Sequence, residues 1–217
     1  MKDILTIALP KGRIQEETME LLGRIGIECP EMKGGSRKLI FELPEKKMNF
    51  LVVRASDVPV YVENGAADLG VVGKDVLLEQ GKNLYEPLDL KIGYCRLVVA
   101  EPAALSEKDN PSEWTHVRIA TKFVNITEDY FEKKGVQVEV IKLYGSIELA
   151  PLVGLSERIV DLVSSGETLK QNGLVEMEQI MEITSRLIVN RASLKTRYER
   201  INDLITRLKA EVDKGAN

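Results

Sequence analysis

The chain has 217 residues, of which 44% are hydrophobic and 29% are charged, and its formal net charge is −4. This length allows one large domain or two small ones, and the acidic balance argues against broad nucleic-acid binding, which needs a strongly basic face. No apolar run approaches the roughly 18 residues of a membrane helix, and the N-terminus becomes charged too early for a signal peptide. We expect a cytoplasmic protein with no nucleic-acid or membrane partner.

The residues that most often bind metals or act as nucleophiles are scarce. His116 is the only histidine, and Cys29 and Cys95 stand alone without a CxxC pair. A histidine metal cluster, a zinc site and a Ser-His-Asp triad each need more of these residues at suitable spacings. The composition therefore directs attention to carboxylates, cations and glycine-rich turns.

Short apolar strands alternate with helical patterns, which is typical of an α/β fold with mainly parallel sheets. In chain order, the first predicted elements are a strand over 4–9, a helix over 14–24, strands over 39–43 and 50–53 around a charged hairpin, a helix over 58–64, a strand over 69–72 and a helix from 75. A strand over 118–123 precedes a helix that Gly135 ends, and another short strand covers 160–163. Ligands in such folds sit where these strands end.

Several short sequence segments recur in the same order along the chain. The similar segments are TIALPK (6–11) with RIATKF (118–123), Asp68-Leu69 with Asp161-Leu162, and RLVV (96–99) with RLIV (186–189). Chance similarity between such segments is the simpler explanation, but their common order favours two similar lobes.

The repeats predict where the domains begin and end. The chain would leave the first lobe near 88–93 and return near 182–189. This gives a discontinuous domain of residues 1–90 plus 183–217 and a second domain of residues 91–182, joined by two crossing strands around a cleft.

The C-terminal segment carries apolar residues at helical spacing. These are Leu194, Tyr198, Ile201, Ile205, Leu208 and Val212. Spacings of four and three place them on one helix face. The face either packs on its own lobe, which we favour, or contacts another subunit.

The stretch VDLVSSGETL, residues 160–169, passes from a strand into small and polar residues. Hydroxyls and approachable backbone N–H groups at a helix start suit a phosphate monoester, and Asp161 would accept hydrogen bonds from sugar hydroxyls. A ribose 5-phosphate satisfies both. The alternative is an ordinary helix cap by Ser165 or Thr168, and this decapeptide alone does not separate the two.

A longer pattern surrounds the stretch. Residues 148–169 are written E-x5-G-x-S-x2-I-x-D-L-x2-S-G-x-T-L, which resembles the signature of the ATP phosphoribosyltransferases, the enzymes that open histidine biosynthesis. Further blocks resemble that family in the same order: ALPKGRI (8–14), SRKLIF (36–41), residues 54–77, RIATKF (118–123) and SRLIVN (185–190). The resemblance spans essentially the whole chain.

The resemblance implies two periplasmic-binding-protein-like lobes and a transferase reaction. In that family N1 of ATP attacks C1 of phosphoribosyl pyrophosphate, with Mg²⁺, to give N1-(5-phosphoribosyl)-ATP and pyrophosphate. The chain looks like the family's short form, a catalytic subunit that works with a regulatory subunit similar to histidyl-tRNA synthetase. We expect a homodimer within a hetero-oligomer.

The resemblance also implies roles for three cations. Arg13 and Arg37 match family positions that stabilise the departing pyrophosphate, and Lys11 follows the first strand beside them. Arginine binds phosphate oxygens in a bidentate way. Arg37 follows Gly34-Gly35, a loop suited to closing over the leaving group, although an arginine beside glycines is more often a solvated surface charge.

The remaining carried-over residues bind the sugar and the nucleotide. The residues expected at the 5-phosphate are Asp161, Ser164, Ser165, Gly166, Glu167 and Thr168. Glu148 and Asp161 are expected at the ribose hydroxyls or at Mg²⁺, which would bind mainly through the substrate with no dedicated protein site. Glu148 has the alternative role of a helix N-terminal acid. Arg54, Lys122 and Tyr144 are candidate ATP contacts.

Two other functions compete with the transferase. The first is a non-catalytic two-lobed module that binds a small anion, and the second is a catalytically silent subunit of a larger complex. The intact Lys11, Arg13 and Asp161 argue against a silent subunit.

Overall fold

The structure is a computed structural model that describes residues 4–32 and 37–215. Contacts between Cα atoms divide the chain into two compact units. Unit 1 comprises residues 1–77, 81–93 and 184–217, and unit 2 comprises residues 78–80 and 94–183. The boundaries expected from the sequence, after residues 90 and 182, stay a prediction.

The described residues form eleven strands and nine α-helices. The strands are β1 (Leu5–Pro10), β2 (Ile40–Leu43), β3 (Met48–Val53), β4 (Leu69–Gly73), β5 (Tyr85–Asp89), β6 (Cys95–Pro102), β7 (His116–Thr121), β8 (Gln137–Lys142), β9 (Arg158–Val163), β10 (Leu174–Ile183) and β11 (Ser185–Val189). The helices are α1 (Arg13–Arg24), α2 (Val58–Glu63), α3 (Lys74–Gln80), α4 (Ala103–Ser106), α5 (Val124–Lys134), α6 (Leu149–Leu152), α7 (Glu167–Gln171), α8 (Arg191–Thr196) and α9 (Tyr198–Gly215). No helix among them combines the length and apolar character that a bilayer span requires.

The strands form two sheets with matching strand order. The sheet of unit 1 has the order β2-β3-β1-β4-β11-β5, and that of unit 2 has the order β10-β6-β9-β7-β8. With β2 set aside, β3-β1-β4-β11-β5 corresponds to β8-β7-β9-β6-β10. The chain passes to the second sheet between β5 and β6 and returns between β10 and β11. This confirms the two predicted crossings.

The expectation of mainly parallel sheets is wrong, because both sheets are mixed. β1 pairs in parallel with β3 and β4, and β7 pairs in parallel with β8 and β9. The other five strand pairs are antiparallel. The reason lies in the crossings: β6 enters from the other unit and runs against β9, and β11 likewise runs against β4.

The core of unit 1 explains the C-terminal apolar face. Ile201, Leu204 and Leu208 of α9 are buried in the same cluster as the strands β1 and β3, which supports packing on its own unit. The predicted single helix is interrupted, because Arg197 leaves helical geometry at φ −134° and ψ 33° between α8 and α9. Tyr198 is consequently 59% exposed rather than part of the apolar face.

Candidate active site

The residues of the predicted phosphate motif lie at one edge of the unit 2 sheet. β7, β8 and β9 are parallel, so their carboxyl ends share that edge, where ligands bind in α/β folds. β9 ends at Val163, a turn over 164–166 follows, and α7 begins at Glu167. Lys122 directly follows β7, and Tyr144 lies two residues beyond β8. Three predicted site segments therefore meet at this edge.

The turn over 164–166, which we call the phosphate turn, is open to a ligand. Gly166 precedes α7 in the left-handed region, at φ 80°, and α7 has no side-chain cap hydrogen bond. The Glu167 N–H reaches the Ser165 Oγ at only 3.4 Å, a weak bond. Within the described part of the chain, the backbone N–H groups of Ser165, Gly166 and Thr168 have no hydrogen-bond acceptor.

This geometry bears on the helix-cap alternative. Thr168 lies inside α7 and is not its cap, and the Ser165 bond is too long to be a strong cap. The left-handed conformation at Gly166 suits glycine because it has no Cβ. The N–H groups of the turn thus point away from protein acceptors, as a bound phosphate requires.

Asp161 is held close to a cation and a second carboxylate. Only 17% of its side chain is exposed, its Oδ1 accepts the Leu162 N–H at 2.8 Å, and Lys122 Nζ lies 3.9 Å away. Burial raises the pKa of Asp161 and the charge of Glu148 adds to the rise, while the Leu162 N–H and the Lys122 charge oppose it. The structure therefore brings together Lys122, Glu148 and Asp161, which lie far apart in sequence.

Glu148 and Tyr144 are two further predicted site residues, and their environments differ. Glu148 directly precedes α6, but its carboxylate makes no cap hydrogen bond to the backbone of that helix. Tyr144 is 88% exposed, with Lys142 Nζ 5.7 Å from its ring centroid. An exposed ring beside a lysine suits stacking on a base, and the assignment of Tyr144 to ATP stays a prediction.

Cations gather at the corresponding edge of the unit 1 sheet. β1 and β3 are parallel and paired up to Pro10 and Val53, and the Lys11 N–H donates to the Val53 carbonyl at 2.9 Å. Lys11 and Arg54 thus follow neighbouring strand ends. Gly12, at φ 107°, then turns the chain into α1, whose first residue is Arg13.

Arg13 has an acidic neighbour that the sequence reasoning missed. Its Nε lies 3.5 Å from Glu17 Oε1, and 53% of the Arg13 side chain is exposed. The other oxygen of Glu17 accepts the Gly93 N–H at 2.6 Å. The spacing of four residues on one helix was the available signal for this pair, and it orients the guanidinium at the start of α1.

Arg37 and Asp68 have different environments. Arg37 is exposed just before β2, and Gly34-Gly35, predicted to close over the leaving group, lies outside the described residues. Asp68 is buried and accepts hydrogen bonds from the Thr6 N–H at 2.8 Å, from Ser193 Oγ at 2.6 Å and from Arg197 at 2.5 Å. Its role is structural, since these bonds fasten α8 and α9 to the sheet.

The carboxylates allow only a limited metal site. The described residues contain no group of three or more His, Cys, Asp or Glu side chains placed to hold a metal ion. Glu148 and Asp161 are close enough for their charges to interact. Two carboxylates fit a divalent ion whose other ligands come from substrate phosphates and water.

Comparison with solved structures first defines the class of fold. The periplasmic aliphatic sulphonate-binding protein SsuA from Escherichia coli matches with a TM-score of 0.62 over 97% of this chain and 68% of that chain, at 13% identity. At this identity only the fold is shared. The chain therefore has the two-lobed, periplasmic-binding-protein-like fold predicted from its repeats and resemblance.

Sequence relatives then define the family. The family model of ATP phosphoribosyltransferase matches residues 54–210. An ATP phosphoribosyltransferase of Geobacter metallireducens is 68% identical over 98% of this chain and 100% of its own, and one of Syntrophotalea carbinolica is 70% identical over 94% of each. The chain belongs to the ATP phosphoribosyltransferase family, enzymes of histidine biosynthesis, and the resemblance found in its sequence is confirmed.

A solved structure of the same family covers the whole fold. The chain from the ATP phosphoribosyl transferase (HisG:HisZ) complex of Thermotoga maritima has a TM-score of 0.79 and 36% identity, over 97% of this chain and all of that chain. A non-catalytic anion-binding module is accordingly not favoured.

Proposed function

We propose that the phosphate turn binds the 5-phosphate of phosphoribosyl pyrophosphate while N1 of ATP attacks C1 of the ribose. The C1–oxygen bond to pyrophosphate breaks as the C1–N1 bond forms, and the products are N1-(5-phosphoribosyl)-ATP and pyrophosphate. The observation that carries this proposal is the phosphate turn together with the start of α7. There the N–H groups of Ser165, Gly166 and Thr168 lack protein acceptors among the described residues.

The sugar is oriented by residues next to the turn. Ser164, Ser165 and Thr168 supply hydroxyls to the phosphate, and Ser165, Gly166 and Thr168 supply backbone N–H groups. Glu148 and Asp161 accept hydrogen bonds from the ribose hydroxyls. Displacement at C1 builds positive charge on the ribose, so two nearby carboxylates also stabilise the transition state electrostatically.

The leaving group is bound by the cations of unit 1. Arg13, Arg37 and Lys11 bind the pyrophosphate, on which negative charge grows as the bond to C1 breaks. Arg54 follows the strand next to Lys11, and we assign it with Lys122 and Tyr144 to ATP. The chain needs little acid–base chemistry for this reaction, because adenine N1 attacks with its own lone pair and positioning provides much of the rate.

The family uses a divalent metal, and we propose that the ion is Mg²⁺. Glu148 and Asp161 are the protein carboxylates that would contact it, and the substrate phosphates would supply most other ligands. When bound, Mg²⁺ neutralises charge on the pyrophosphate and makes it a better leaving group.

We further propose that the chain works as the catalytic subunit of a complex. The Thermotoga maritima relative is solved as a HisG:HisZ complex. By analogy, a regulatory subunit similar to histidyl-tRNA synthetase would bind a homodimer of this chain in the cytoplasm, where ATP and phosphoribosyl pyrophosphate are supplied.

Turnover of the purified chain tests this proposal. ATP, phosphoribosyl pyrophosphate and Mg²⁺ are mixed with the chain, alone and with the regulatory subunit, and the near-ultraviolet absorbance of the product is followed. We expect turnover. Its absence in both mixtures would favour the binding module.

A variant of Arg13 tests the assignment of the cations. Arg13→Ala should lower kcat by about 100-fold and change KM for phosphoribosyl pyrophosphate much less, because the charge it stabilises develops in the transition state. Arg24→Ala, at the other end of α1, is the matched control and should leave both constants unchanged. A large rise in KM with unchanged kcat would show that Arg13 binds the ground state.

A further inference from the structure

An ion pair that no motif predicted lies against the phosphate turn. Arg96 donates from Nη1 to Glu176 Oε2 at 2.5 Å and from Nη2 to Glu176 Oε1 at 2.8 Å, which is a bidentate arrangement. A Cβ placed on Gly166 would lie 3.5 Å from the same Glu176 Oε1. The carboxylate of Glu176 is therefore in contact range of the turn, and Arg96 holds it there.

The two residues reach the turn from different strands. Arg96 lies on β6 directly opposite Val163, the last residue of β9 before the turn. Glu176 lies on β10, on the other side of β6. Both side chains are partly exposed, 28% and 31%, and an exposed pair between strands that already share a hydrogen-bond ladder contributes little to stability. A contribution to folding stability therefore does not by itself explain why this ion pair is present.

Electrostatics gives a stronger reason. The 5-phosphate is a dianion near neutral pH, and an uncompensated carboxylate beside Gly166 would repel it. Arg96 cancels that charge through two hydrogen bonds, and its bidentate geometry fixes the carboxylate against the turn. The net charge of this pair is then close to zero.

We propose that Arg96 is a positioning residue for the 5-phosphate, which neutralises Glu176 and holds it against Gly166 so that the phosphate turn accepts a dianion. This inference rests on the proposed function of that turn. It adds a charge balance between β6 and β10 to the phosphate turn.

Three variants separate a charge balance from a purely structural role. The readouts are the dissociation constant of ribose 5-phosphate measured without ATP, and kcat and KM for phosphoribosyl pyrophosphate. Arg96→Ala leaves Glu176 unbalanced and should weaken ribose 5-phosphate about five- to tenfold. Glu176→Gln leaves Arg96 unbalanced and should tighten it by a few-fold. The double variant should return to within about twofold of the parent chain.

The sign for Glu176→Gln decides the question. If the ion pair only supports the local structure, both single variants and the double variant should weaken the binding of ribose 5-phosphate. That result would overturn the proposal. Arg96→Lys keeps the charge and should retain most of the affinity, which guards against a folding defect in Arg96→Ala. In all these variants kcat should change less than KM, because the charge acts on the bound phosphate and not on C1.

Matched controls distinguish this inference from the proposed function. Arg118 and Glu157 form a similar pair in unit 2, at 2.8 Å and at the opposite end of β9, and Arg118→Ala and Glu157→Gln should not change ribose 5-phosphate affinity. Gly166→Ala puts a methyl group at a left-handed position and should weaken binding about tenfold. If Gly166→Ala leaves the affinity for ribose 5-phosphate unchanged, the phosphate turn does not bind the phosphate. If Gly166→Ala weakens that affinity while the Arg96 and Glu176 variants leave it unchanged, only the charge balance is refuted.

Discussion

Glu101 of β6 is buried in a cluster of charged residues, and its pKa is raised toward neutral pH. It is 0% exposed, and its Oε2 accepts a hydrogen bond from Arg158 Nε at 2.7 Å. Its Oε1 has no ordinary donor among the described residues. The neighbouring Asp109 accepts from Arg158 Nη2 at 2.5 Å and from Trp114 Nε1 at 2.8 Å. A proton shared between Glu101 and Asp109 would satisfy both carboxyl groups.

The pKa directions assign that proton to Glu101. Burial raises the pKa of Glu101 from 4.5 to about 7, and the adjacent Asp109 adds to the rise, although Arg158 opposes it. Burial also acts to raise the pKa of Asp109, but the hydrogen bonds from Arg158, Glu101 and Trp114 outweigh it and hold that pKa below its ordinary value. Below about pH 7, Arg158 therefore faces one carboxylate and one carboxylic acid. Its guanidinium carbon also lies 4.3 Å from the centroid of the Trp114 ring.

Glu101→Gln tests this arrangement through stability. Because the pKa of Glu101 is raised on folding, the folded chain binds more protons than the unfolded chain between pH 4.5 and about 7. Its contribution to the free energy of unfolding is therefore complete below pH 4.5 and falls as the pH rises through 7. Between pH 5 and pH 8 the loss is about 2 kcal/mol. An uncharged glutamine does not lose it.

Urea denaturation of the parent chain and Glu101→Gln at pH 5 and pH 8 measures the effect. The difference in unfolding free energy between the two proteins should move by about 2 kcal/mol in favour of glutamine at pH 8. Glu157→Gln, on an exposed pair, should show no such change. An equal difference at both pH values would show that Glu101 does not titrate in this range.

Two further predictions concern the site and the C-terminal helices. The charge of Lys122 opposes the rise in the pKa of Asp161, so Lys122→Met should raise that pKa further. We expect KM for phosphoribosyl pyrophosphate to rise a few-fold and the acidic limb of the kcat/KM pH profile to move to higher pH. If the acidic limb stays at the same pH, Lys122 does not act on Asp161. Arg197→Met leaves the buried Asp68 without its cation and should cost about 2 kcal/mol in thermal unfolding. Lys209→Met, an exposed change on α9, is its control, and equal melting of both variants would contradict the role given to Asp68.

Local signals predicted several of the elements well. Alternating apolar residues located β1, β3, β4 and β9 to within a few residues. Gly135, at φ 72°, ends α5 where the sequence predicted. These features depend on residues that are adjacent in the chain, so they can be predicted from a single sequence.

Long-range pairings were not predictable in the same way. Arg96 and Glu176 are 80 residues apart, and Arg158 and Glu101 are 57 apart, so no local pattern joins them. The mixed character of the sheets also escaped prediction, because the direction of β6 and β11 depends on which unit each strand comes from. The break at Arg197 depends on a contact as well, since its side chain turns back to Asp68.

In the proposed mechanism the phosphate turn holds the 5-phosphate. A crystal structure of the chain soaked with phosphoribosyl pyrophosphate and Mg²⁺ would locate that phosphate. We expect phosphate oxygens within hydrogen-bond distance, about 2.7–3.2 Å, of the N–H groups of Ser165, Gly166 and Thr168. A 5-phosphate bound elsewhere, with those three N–H groups bonded only to water, would contradict it.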